Sequence, residues 1–413
     1  MNCSKRVLWF FLWLVPLQCT TDDKPLQLIE NSDKLAAFPI AIKVPKKKKR
    51  TGKLKNVTPL FNTYTKTNLS TFSLPRIDED LTNALLQQLK LLKRRKQDFA
   101  QQFGNVSLNL TDLETTIELL LLWQQTYPQG LEEHLNAYQL KGQDGKGNVK
   151  FTGYFTPELK VSKRPSKHYP YPIYAYPEDW KGHLPTRQQI DGEGVLKGRN
   201  LELAYTKHLA DIYYMQLQGS GLVRYRNGQS KYFGFAGSNR HPYSSIGKYI
   251  KNNESIRLKN ISMDGVKTYL KYHPAKVEEI LFTNPSYVFF EAANSKPLGA
   301  GHVPLTADYS IAVDPKHVPL GSCLLAALPV IDAEGDFSHH EYKFMLAQDV
   351  GGAIRGNGHV DVYCGVGTEG QQKAMALHHY GQLWLLLPKP TDEIDLLLST
   401  GALVRDNMEL IVN

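Results

Sequence analysis

The sequence predicts a mainly β protein with helices ahead of its strands, built as a barrel or a sandwich. Its strand-like segments are short, aromatic and bounded by Gly, Pro and Asn, a pattern typical of those two architectures. These segments include residues 171–176, 213–217 and 231–235. Two helical patterns precede Phe151, where the strand-rich character begins. The length of 413 residues allows about two to three domains.

Composition and charge exclude several classes of protein. Hydrophobic residues make up 42% and charged residues 22% of the chain, which is typical of a globular protein. No apolar run approaches the ~20 residues that span a bilayer, which excludes a polytopic membrane protein. Eight of the basic residues behind the net charge of +9 lie in residues 43–55, where there is no acid, so the rest of the chain is nearly neutral. The segment is either a basic tether near anionic lipid or cell-wall polymer or a solvated linker, and it does not indicate nucleic-acid binding.

The first residues indicate export. A short basic stretch precedes an apolar run at 7–17, which is the pattern of a secretory signal and is too short for a spanning helix. Cys19 follows that run, so we predict a bacterial lipoprotein whose signal peptide occupies residues 1–19 and whose lipidated residue is Cys19. Gln18 stands where a small residue is usual. An ordinary cleaved signal and an uncleaved anchor are the alternatives.

Cysteine usage leaves a choice in the folded part. Without the signal, the remaining thiols are Cys323 and Cys364. They either pair in an oxidising compartment or stay buried and unpaired. In neither case does the fold depend on a disulfide framework.

The ordered part is predicted to follow a flexible tether at residues 20–75, which is polar and lacks a sustained period. Acids at 78–80, leucines at helical spacing and bases at 93–96 predict the first helix. Thr111 and Glu114 have the spacing of a capping box and predict that a second helix starts at Thr111. Further helices are predicted at 245–251, 275–282 and 369–379, within and before a last strand-rich block at 287–387.

Three aspartates in the last block are the candidates for chemistry. The sequence has no Cys-x-x-Cys pair, His-Glu-x-x-His, Walker loop or Gly-x-Ser-x-Gly elbow, and its histidines are poorly spaced for chelation, so we predict no metal. Asp314, Asp349 and Asp361 each lie beside apolar, strand-like residues. One such acid is usually a turn or cap carboxylate. Three in one compact block predict a functional site.

The middle block supplies a surface suited to sugars. Aromatics, amides and glycines occur together at 153–157, 216–221 and 232–239. Aromatic planes match the apolar CH faces of sugars, amides match their hydroxyls, and glycines let the main chain approach. The alternative is that the aromatics form core and the glycines form turns. The candidate binding residues are Gly153, Tyr154, Gln218, Gly219, Ser220, Ala236, Gly237 and Asn239.

Taken in order, these segments resemble the membrane-bound lytic murein transglycosylase A family of Gram-negative bacteria. The resemblance covers roughly residues 80–387, and its many ordered motifs make it specific. Besides the three-aspartate block, it rests on the sequences TGYFTP at 152–157, QGSG at 218–221, FAGSN at 235–239, SIGK at 245–248, NPSYVFF at 284–290 and HYG at 379–381.

The resemblance implies a fold of two domains with a deep groove between them. One is a double-psi β-barrel with N-terminal helices, expected at residues 76–150 and 292–388. The other is a smaller β-barrel-like domain inserted at residues 151–291. Residues 389–413 are left as a C-terminal tail.

The resemblance also implies cleavage of the β-1,4 bond between N-acetylmuramic acid and N-acetylglucosamine in peptidoglycan, with a 1,6-anhydro sugar as product. The family's catalytic acid corresponds to Asp361, and Asp349 and Asp314 correspond to supporting aspartates. One carboxylate suffices because the tethered C6 hydroxyl of the sugar attacks C1, whereas a hydrolase commonly needs two. Asp361 must then have a raised pKa, through burial or through Asp349.

No cofactor is expected. The expected partners are peptidoglycan glycan strands, cell-wall synthesis or hydrolysis complexes, and the outer membrane through a lipid anchor, which implies a periplasmic location. Two alternatives remain: an inverting hydrolase that uses Asp349 and Asp361 as an acid and base pair, and a non-catalytic wall-binding module. Product mass separates them, because an anhydro end is lighter by one water than a reducing end and a binding module releases no product.

Overall fold

The computed structural model describes residues 64–94, 100–103, 106–126, 130–253, 263–293, 296–332, 335–352 and 354–389. The predicted signal peptide with Cys19, the basic segment at 43–55 and residues 390–413 of the predicted tail lie outside the described residues, and the predictions made for them stay predictions. Within the described ranges, no helix has both the length and the apolar character needed to cross a bilayer.

Strands dominate the described chain, and helices lie between several of them. The strands are β1 (Tyr64–Thr67), β2 (Ala100–Phe103), β3 (Val106–Asn109), β4 (Leu135–Leu140), β5 (Val149–Thr156), β6 (Glu158–Ser162), β7 (Tyr171–Tyr174), β8 (Glu202–Thr206), β9 (Gly221–Tyr225), β10 (Ser230–Ser238), β11 (Val288–Ala293), β12 (Ser310–Val313), β13 (Cys323–Ile331), β14 (Phe337–Val350), β15 (His359–Val366) and β16 (His378–Pro388). The helices are α1 (Glu79–Arg94), α2 (Leu110–Thr126), α3 (Leu131–His134), α4 (Leu209–Gln218), α5 (Ile246–Asn252), α6 (Met263–Tyr272), α7 (Val277–Leu281) and α8 (Gly367–Ala376).

The first large sheet closes on itself. Its strand order is β1-β4-β16-β13-β14-β12-β15-β5, and β5 pairs with β16 as well as with β15. The strands from β16 round to β5 therefore form a barrel, which removes their exposed edges. Its strands and the helices α1 and α2 share one hydrophobic core. The predicted fold class, a barrel with helices and an inserted smaller β-rich domain, is confirmed.

The second sheet is built from the chain between β5 and β12. Its order is β11-β10-β9-β6-β8-β7, and it has a hydrophobic core of its own. The chain changes sheets at Pro157, because Thr156 still pairs with Val366 on β15 whereas Glu158 pairs with Leu222 on β9. The domain bounds at 151 and 291 stay a prediction.

Packing begins earlier in the chain than predicted. β1 pairs with β4, and the buried Tyr64 donates a hydrogen bond to the carbonyl of His317. The ring of Phe72 lies edge-on to Trp384, with centroids 4.8 Å apart. The tether predicted to reach residue 75 is therefore wrong for residues 64–75. A few large side chains among Thr and Asn anchor this segment without giving it a period.

The second helix starts one residue before the predicted position and uses a different cap. Asn109 Oδ1 accepts from the amide of Asp112, and Asp112 Oδ2 accepts from the amide of Asn109, both at 2.8 Å. This reciprocal pair is the capping box, so the box predicted at Thr111 and Glu114 is wrong. Both pairs have the right spacing, and the choice between them depends on where β3 ends.

The strand predicted at 213–217 is wrong, because these residues lie in α4. Tyr213 and Tyr214 are both buried on this helix, so their aromatic character reflects core packing. Gly219 ends α4 in the left-handed conformation at φ 80°, a backbone shape that glycine adopts at low cost. The predicted last helix also stops early, since α8 ends at Ala376 and His378 already belongs to β16.

Candidate active site

Asp361 lies in the barrel wall, on β15 between β12 and β5. Its register partners on those strands are Ala312 and Thr152. Val360 and Val362 are buried on the opposite face of β15, because successive strand residues point to opposite sides. This alternation leaves the Asp361 carboxyl half-buried, with its Oδ1 accepting a 2.8 Å hydrogen bond from the Thr152 hydroxyl.

The environment of Asp361 raises its pKa to about 7. Loss of water around the carboxylate is the main cause, the Thr152 hydrogen bond opposes it, and the negative charge of Asp349 adds to it. An ordinary aspartate has a pKa near ~4 and is ionised at neutral pH. Asp361 therefore holds a proton in the range where a general acid must supply one.

Asp349 is held at the end of β14 by donors on both of its oxygens. The Tyr154 hydroxyl donates to Oδ2, and the amides of Ala300 and Val350 donate to Oδ1, each at 2.9 Å. Burial raises the pKa of Asp349, and these three donors oppose the rise. Ala312 on β12 pairs with Asp349 on one side and with Asp361 on the other, so the two carboxylates flank one strand.

Asp314 follows β12 directly and organises two loops. Its side chain is 7% exposed. Oδ1 accepts from the amide of Lys316 at 3.1 Å, and Oδ2 accepts from the amide of Gly356 at 2.9 Å. Asp314 therefore links the turn after β12 to the loop that leads into β15 and Asp361.

Two of the predicted binding residues join the inserted sheet to β5. Gln218 Oε1 accepts from the amide of Phe155 at 3.0 Å. The hydroxyl of Ser220 lies 3.2 Å from that of Thr156, which lies 2.9 Å from the hydroxyl of Tyr363 on β15. These contacts fix the position of the inserted sheet against the strands that carry Asp361.

Gly153 is required for close packing. A Cβ added there would lie 2.5 Å from Cα of Ala374 and 2.9 Å from Sγ of Cys364. The glycine therefore lets α8 lie directly on β5, next to the site. Cys323 and Cys364 are both buried free thiols, which answers the pairing question that the sequence leaves open.

The side chain of Asn239 is hydrogen-bonded to the backbone of the inserted domain. Its side chain is 4% exposed, and Nδ2 donates to the carbonyls of Pro185 and Pro285 at 2.9 and 2.8 Å. Its Oδ1 accepts from the amide of Tyr287 at 2.8 Å. The amide that the sequence offers to a sugar is thus taken up by the backbone groups of Pro185, Pro285 and Tyr287.

Ala236 and Gly237 lie where the register between β10 and β11 shifts. A Cβ on Gly237 would lie 2.5 Å from the ring of Tyr176, so close packing explains this glycine. The neighbouring Phe235 is 58% exposed, so it is the aromatic residue of this segment whose ring is accessible to solvent.

Sequence reasoning missed Thr152 and His359 as parts of the site. The Thr152 hydroxyl contacts Asp361 Oδ1 and also lies 2.9 Å from Nε2 of His359. Both residues lie in the segments that carry the family resemblance, but only the register of two strands distant in sequence brings them together. Among the residues that the structure describes, no group of three or more His, Cys, Asp or Glu side chains is arranged to hold a metal ion.

Two family models match the chain. The MltA specific insert domain matches residues 150–291, and the 3D domain matches residues 309–387. Together they span nearly all of the inserted sheet and the whole of β12, β14 and β15, on or next to which the three aspartates lie.

Curated relatives carry one name. The membrane-bound lytic murein transglycosylase A of Escherichia coli (strain K12) is 38% identical over 260 residues, which are 62% of this chain and 70% of that protein. The homolog from Buchnera aphidicola subsp. Schizaphis graminum is 35% identical over 324 residues, 75% of this chain and 88% of that protein.

Solved structures agree with the relatives. E. coli MltA with bound chitohexaose is similar with a TM-score of 0.64 at 31% identity, over 75% of this chain and 90% of that chain. The membrane-bound lytic murein transglycosylase from Agrobacterium tumefaciens gives a TM-score of 0.64 at 25% identity, over 78% of this chain and 98% of that chain.

Proposed function

The chain belongs to the membrane-bound lytic murein transglycosylase A family and is a peptidoglycan lytic transglycosylase; from that premise we propose that Asp361 is its single acid–base catalyst. The proposed bond is the β-1,4 link between N-acetylmuramic acid and N-acetylglucosamine, and the proposed product ends in 1,6-anhydromuramic acid. The observation that carries the proposal is the Asp361 carboxyl, half-buried in the barrel wall with a pKa raised to about 7. The E. coli relative with bound chitohexaose supports a glycan as the ligand.

The proposed reaction uses one carboxyl group twice, first as an acid and then as a base. Protonated Asp361 donates to the glycosidic oxygen, the C1–O bond breaks, and the leaving sugar departs with that proton. The C6 oxygen of the muramic acid then bonds to C1, and its hydroxyl proton returns to the Asp361 carboxylate. No water is consumed, because the C6 hydroxyl is held on the same sugar and reacts with a high effective concentration.

Asp349 has a supporting role in this proposal. Its two oxygens already accept hydrogen bonds from Tyr154, Ala300 and Val350, which disfavours the alternative in which it activates water as the base of a hydrolase. Its charge helps to keep the pKa of Asp361 high. Asp314 acts through the loops that it joins.

The test is the product mass from purified murein sacculi. We expect anhydro-terminated fragments from the wild type and almost none from Asp361→Asn, since loss of a general acid costs about 10²–10⁴-fold in rate. Asp336→Asn is the matched control: Asp336 is exposed in the turn between β13 and β14, so the substitution should leave turnover unchanged. Reducing-end fragments from the wild type, or wild-type turnover by folded Asp361→Asn, would overturn the proposal.

An envelope-associated location fits the membrane-bound names of the relatives. We further propose that the protein is anchored to the outer membrane through lipidated Cys19, with the domain inserted at 151–291 placed over glycan strands. Cys19→Ala should release the protein from the membrane fraction or block its maturation. Cys3→Ala, inside the same signal peptide, is the control, and equal retention of both variants contradicts the anchor.

A further inference from the structure

A three-membered polar chain runs along the barrel wall to Asp361. On the parallel pair β5 and β15, Thr152 is the register partner of Asp361. His359 lies two residues before Asp361 and so points to the same face of β15. The Thr152 Oγ1 atom lies 2.8 Å from Oδ1 of Asp361 and 2.9 Å from Nε2 of His359.

The direction of these two hydrogen bonds is linked. A threonine hydroxyl has one hydrogen to donate, and it accepts with its lone pairs. When Thr152 donates to Asp361, its contact with His359 requires a hydrogen on Nε2. When the imidazole carries its hydrogen on Nδ1 instead, Nε2 becomes the acceptor and draws the hydroxyl away from Asp361. The His359 tautomer therefore decides which way Thr152 points.

The surroundings keep His359 neutral. Burial lowers the pKa of His359 to about 4, and the charge of Lys150 on β5 and the proximity of His378 on β16 add to this effect. A neutral imidazole carries one N–H, on either Nδ1 or Nε2, so His359 donates to Thr152 only in its Nε2–H tautomer.

Other titratable groups face the Asp361 end of the chain. They are Asp349 on β14, which raises the pKa of Asp361, and Tyr154 on β5, whose own pKa burial and the two aspartates raise. Tyr363 on β15 lies next to them, with its ring 5.3 Å from that of Tyr154. Of these groups Asp349 raises the pKa of Asp361 directly, whereas His359 acts on Asp361 through Thr152.

We propose that His359 is a positioning residue: its Nε2–H turns the Thr152 hydroxyl onto Oδ1 of Asp361, so that the transferable proton resides on Oδ2. This inference rests on the proposed function, in which Asp361 gives and then recovers one proton. With Oδ1 occupied as an acceptor, both transfers use the same oxygen, and the carboxyl does not need to rotate between them.

Two substitutions at His359 separate positioning from packing. His359→Leu removes the N–H, and we expect kcat to fall roughly tenfold, less than the ~100-fold of a 1 Å misplacement, with KM little changed. Without the Nε2–H the Thr152 hydroxyl is held less firmly on Oδ1, and because that bond lowers the pKa of Asp361, the alkaline limb of the pH–rate profile should move to higher pH. His359→Gln supplies an amide N–H, so it should restore much of kcat and return the alkaline limb of the pH–rate profile toward its wild-type position. His339→Leu, at an exposed histidine of β14, is the control for loss of an imidazole.

The tautomer itself is measurable in the wild type without any turnover. ¹⁵N-histidine NMR, with the His359 signal assigned by its loss in His359→Gln, should show a neutral Nε2–H imidazole from about pH 5 to about pH 8. A cationic ring at about pH 6, or an Nδ1–H tautomer, overturns the inference even when a variant fails to fold. An unchanged kcat and pH limb in folded His359→Leu overturns it as well, while an inactive Asp361→Asn leaves the proposed function intact. Turnover by Asp361→Asn would instead reject the function, and the NMR result would still decide the hydrogen-bond direction.

Discussion

The Tyr154 hydroxyl donates a 2.9 Å hydrogen bond to Oδ2 of Asp349, and this bond distinguishes two aspartates that the sequence presents as equivalent. With the amides of Ala300 and Val350 on its other oxygen, the Asp349 carboxyl group is held in a fixed position. Asp361, two strands away in the sheet order, accepts from Thr152 on Oδ1. This difference in donors supports the proposal that Asp361 transfers the proton and that Asp349 gives electrostatic support.

Asp349→Asn should therefore slow the enzyme without changing its product. The substitution removes a negative charge that helps to raise the pKa of Asp361, so that pKa should fall. Because the protonated form of Asp361 is the proposed acid, the alkaline limb of the pH–rate profile should move to lower pH, and the rate at neutral pH should drop by roughly tenfold per unit of pKa.

The measurement is product mass together with the pH–rate profile. Anhydro-terminated fragments should persist in Asp349→Asn. If the wild type produced reducing ends and Asp349→Asn abolished them, Asp349 would be the base of a hydrolase and the present assignment would be wrong.

Gly153→Ala should destabilise the barrel by about 1–3 kcal/mol, the usual cost of overpacking a well-filled site. The added methyl would lie 2.5 Å from Cα of Ala374, in the backbone of α8, so the helix would have to move. Gly234→Ala is the control, because a Cβ there has nothing within 4 Å. Denaturant unfolding measures both variants, and equal midpoints would contradict the packing role of Gly153.

The sequence predicted the fold class because its strand segments and glycine turns recur through the last two thirds of the chain. The strand prediction failed for 213–217, because the aromatic residues there belong to a helix that packs in the core. Periodicity over five residues does not separate these cases. The start of α2 failed for a similar reason, since two cap patterns overlap within six residues.

The candidate site was predicted in part. The three aspartates stand out because each interrupts an apolar strand, which is a local pattern. The link from His359 through Thr152 to Asp361 joins positions more than two hundred residues apart, and it exists only in the register of β5 and β15. Composition also misleads at Asn239, because an amide that suits a sugar suits backbone carbonyls equally well.

Asp361→Asn should be more stable than the wild type at about pH 8. The pKa of Asp361 is raised in the folded protein to about 7, above its unfolded value near ~4. Between these values the folded state binds the proton more tightly, so the wild type loses stability as pH rises through about 7. Asparagine does not titrate and avoids this loss. Such gains in stability at the expense of activity are common at catalytic sites.

Thermal unfolding at two pH values checks this prediction. At about pH 8 the melting temperature of Asp361→Asn should exceed that of the wild type. The difference should be roughly 2–4 °C or more for each kcal/mol of unfolding free energy that is gained by removing the buried charge. Below about pH 4 the difference should shrink, because Asp361 is protonated in both folded and unfolded states. A difference that is constant across pH would show that the charge is not its cause.

Asn239→Asp tests whether the buried amide serves the fold or the substrate. Nδ2 of Asn239 donates to the carbonyls of Pro185 and Pro285, and an ionised carboxylate would face both carbonyls with no hydrogen to offer. Leaving buried acceptors unpaired costs about 1–3 kcal/mol, and more with a charge, so the inserted domain should lose at least ~2 kcal/mol at about pH 8. At lower pH the protonated carboxyl regains one donor, so the deficit should shrink.

Asn227→Asp, the same change in an exposed turn, should be nearly neutral. At a temperature where Asn239→Asp is folded, KM for glycan should match the wild type; a raised KM with an unchanged melting temperature would assign Asn239 to the substrate.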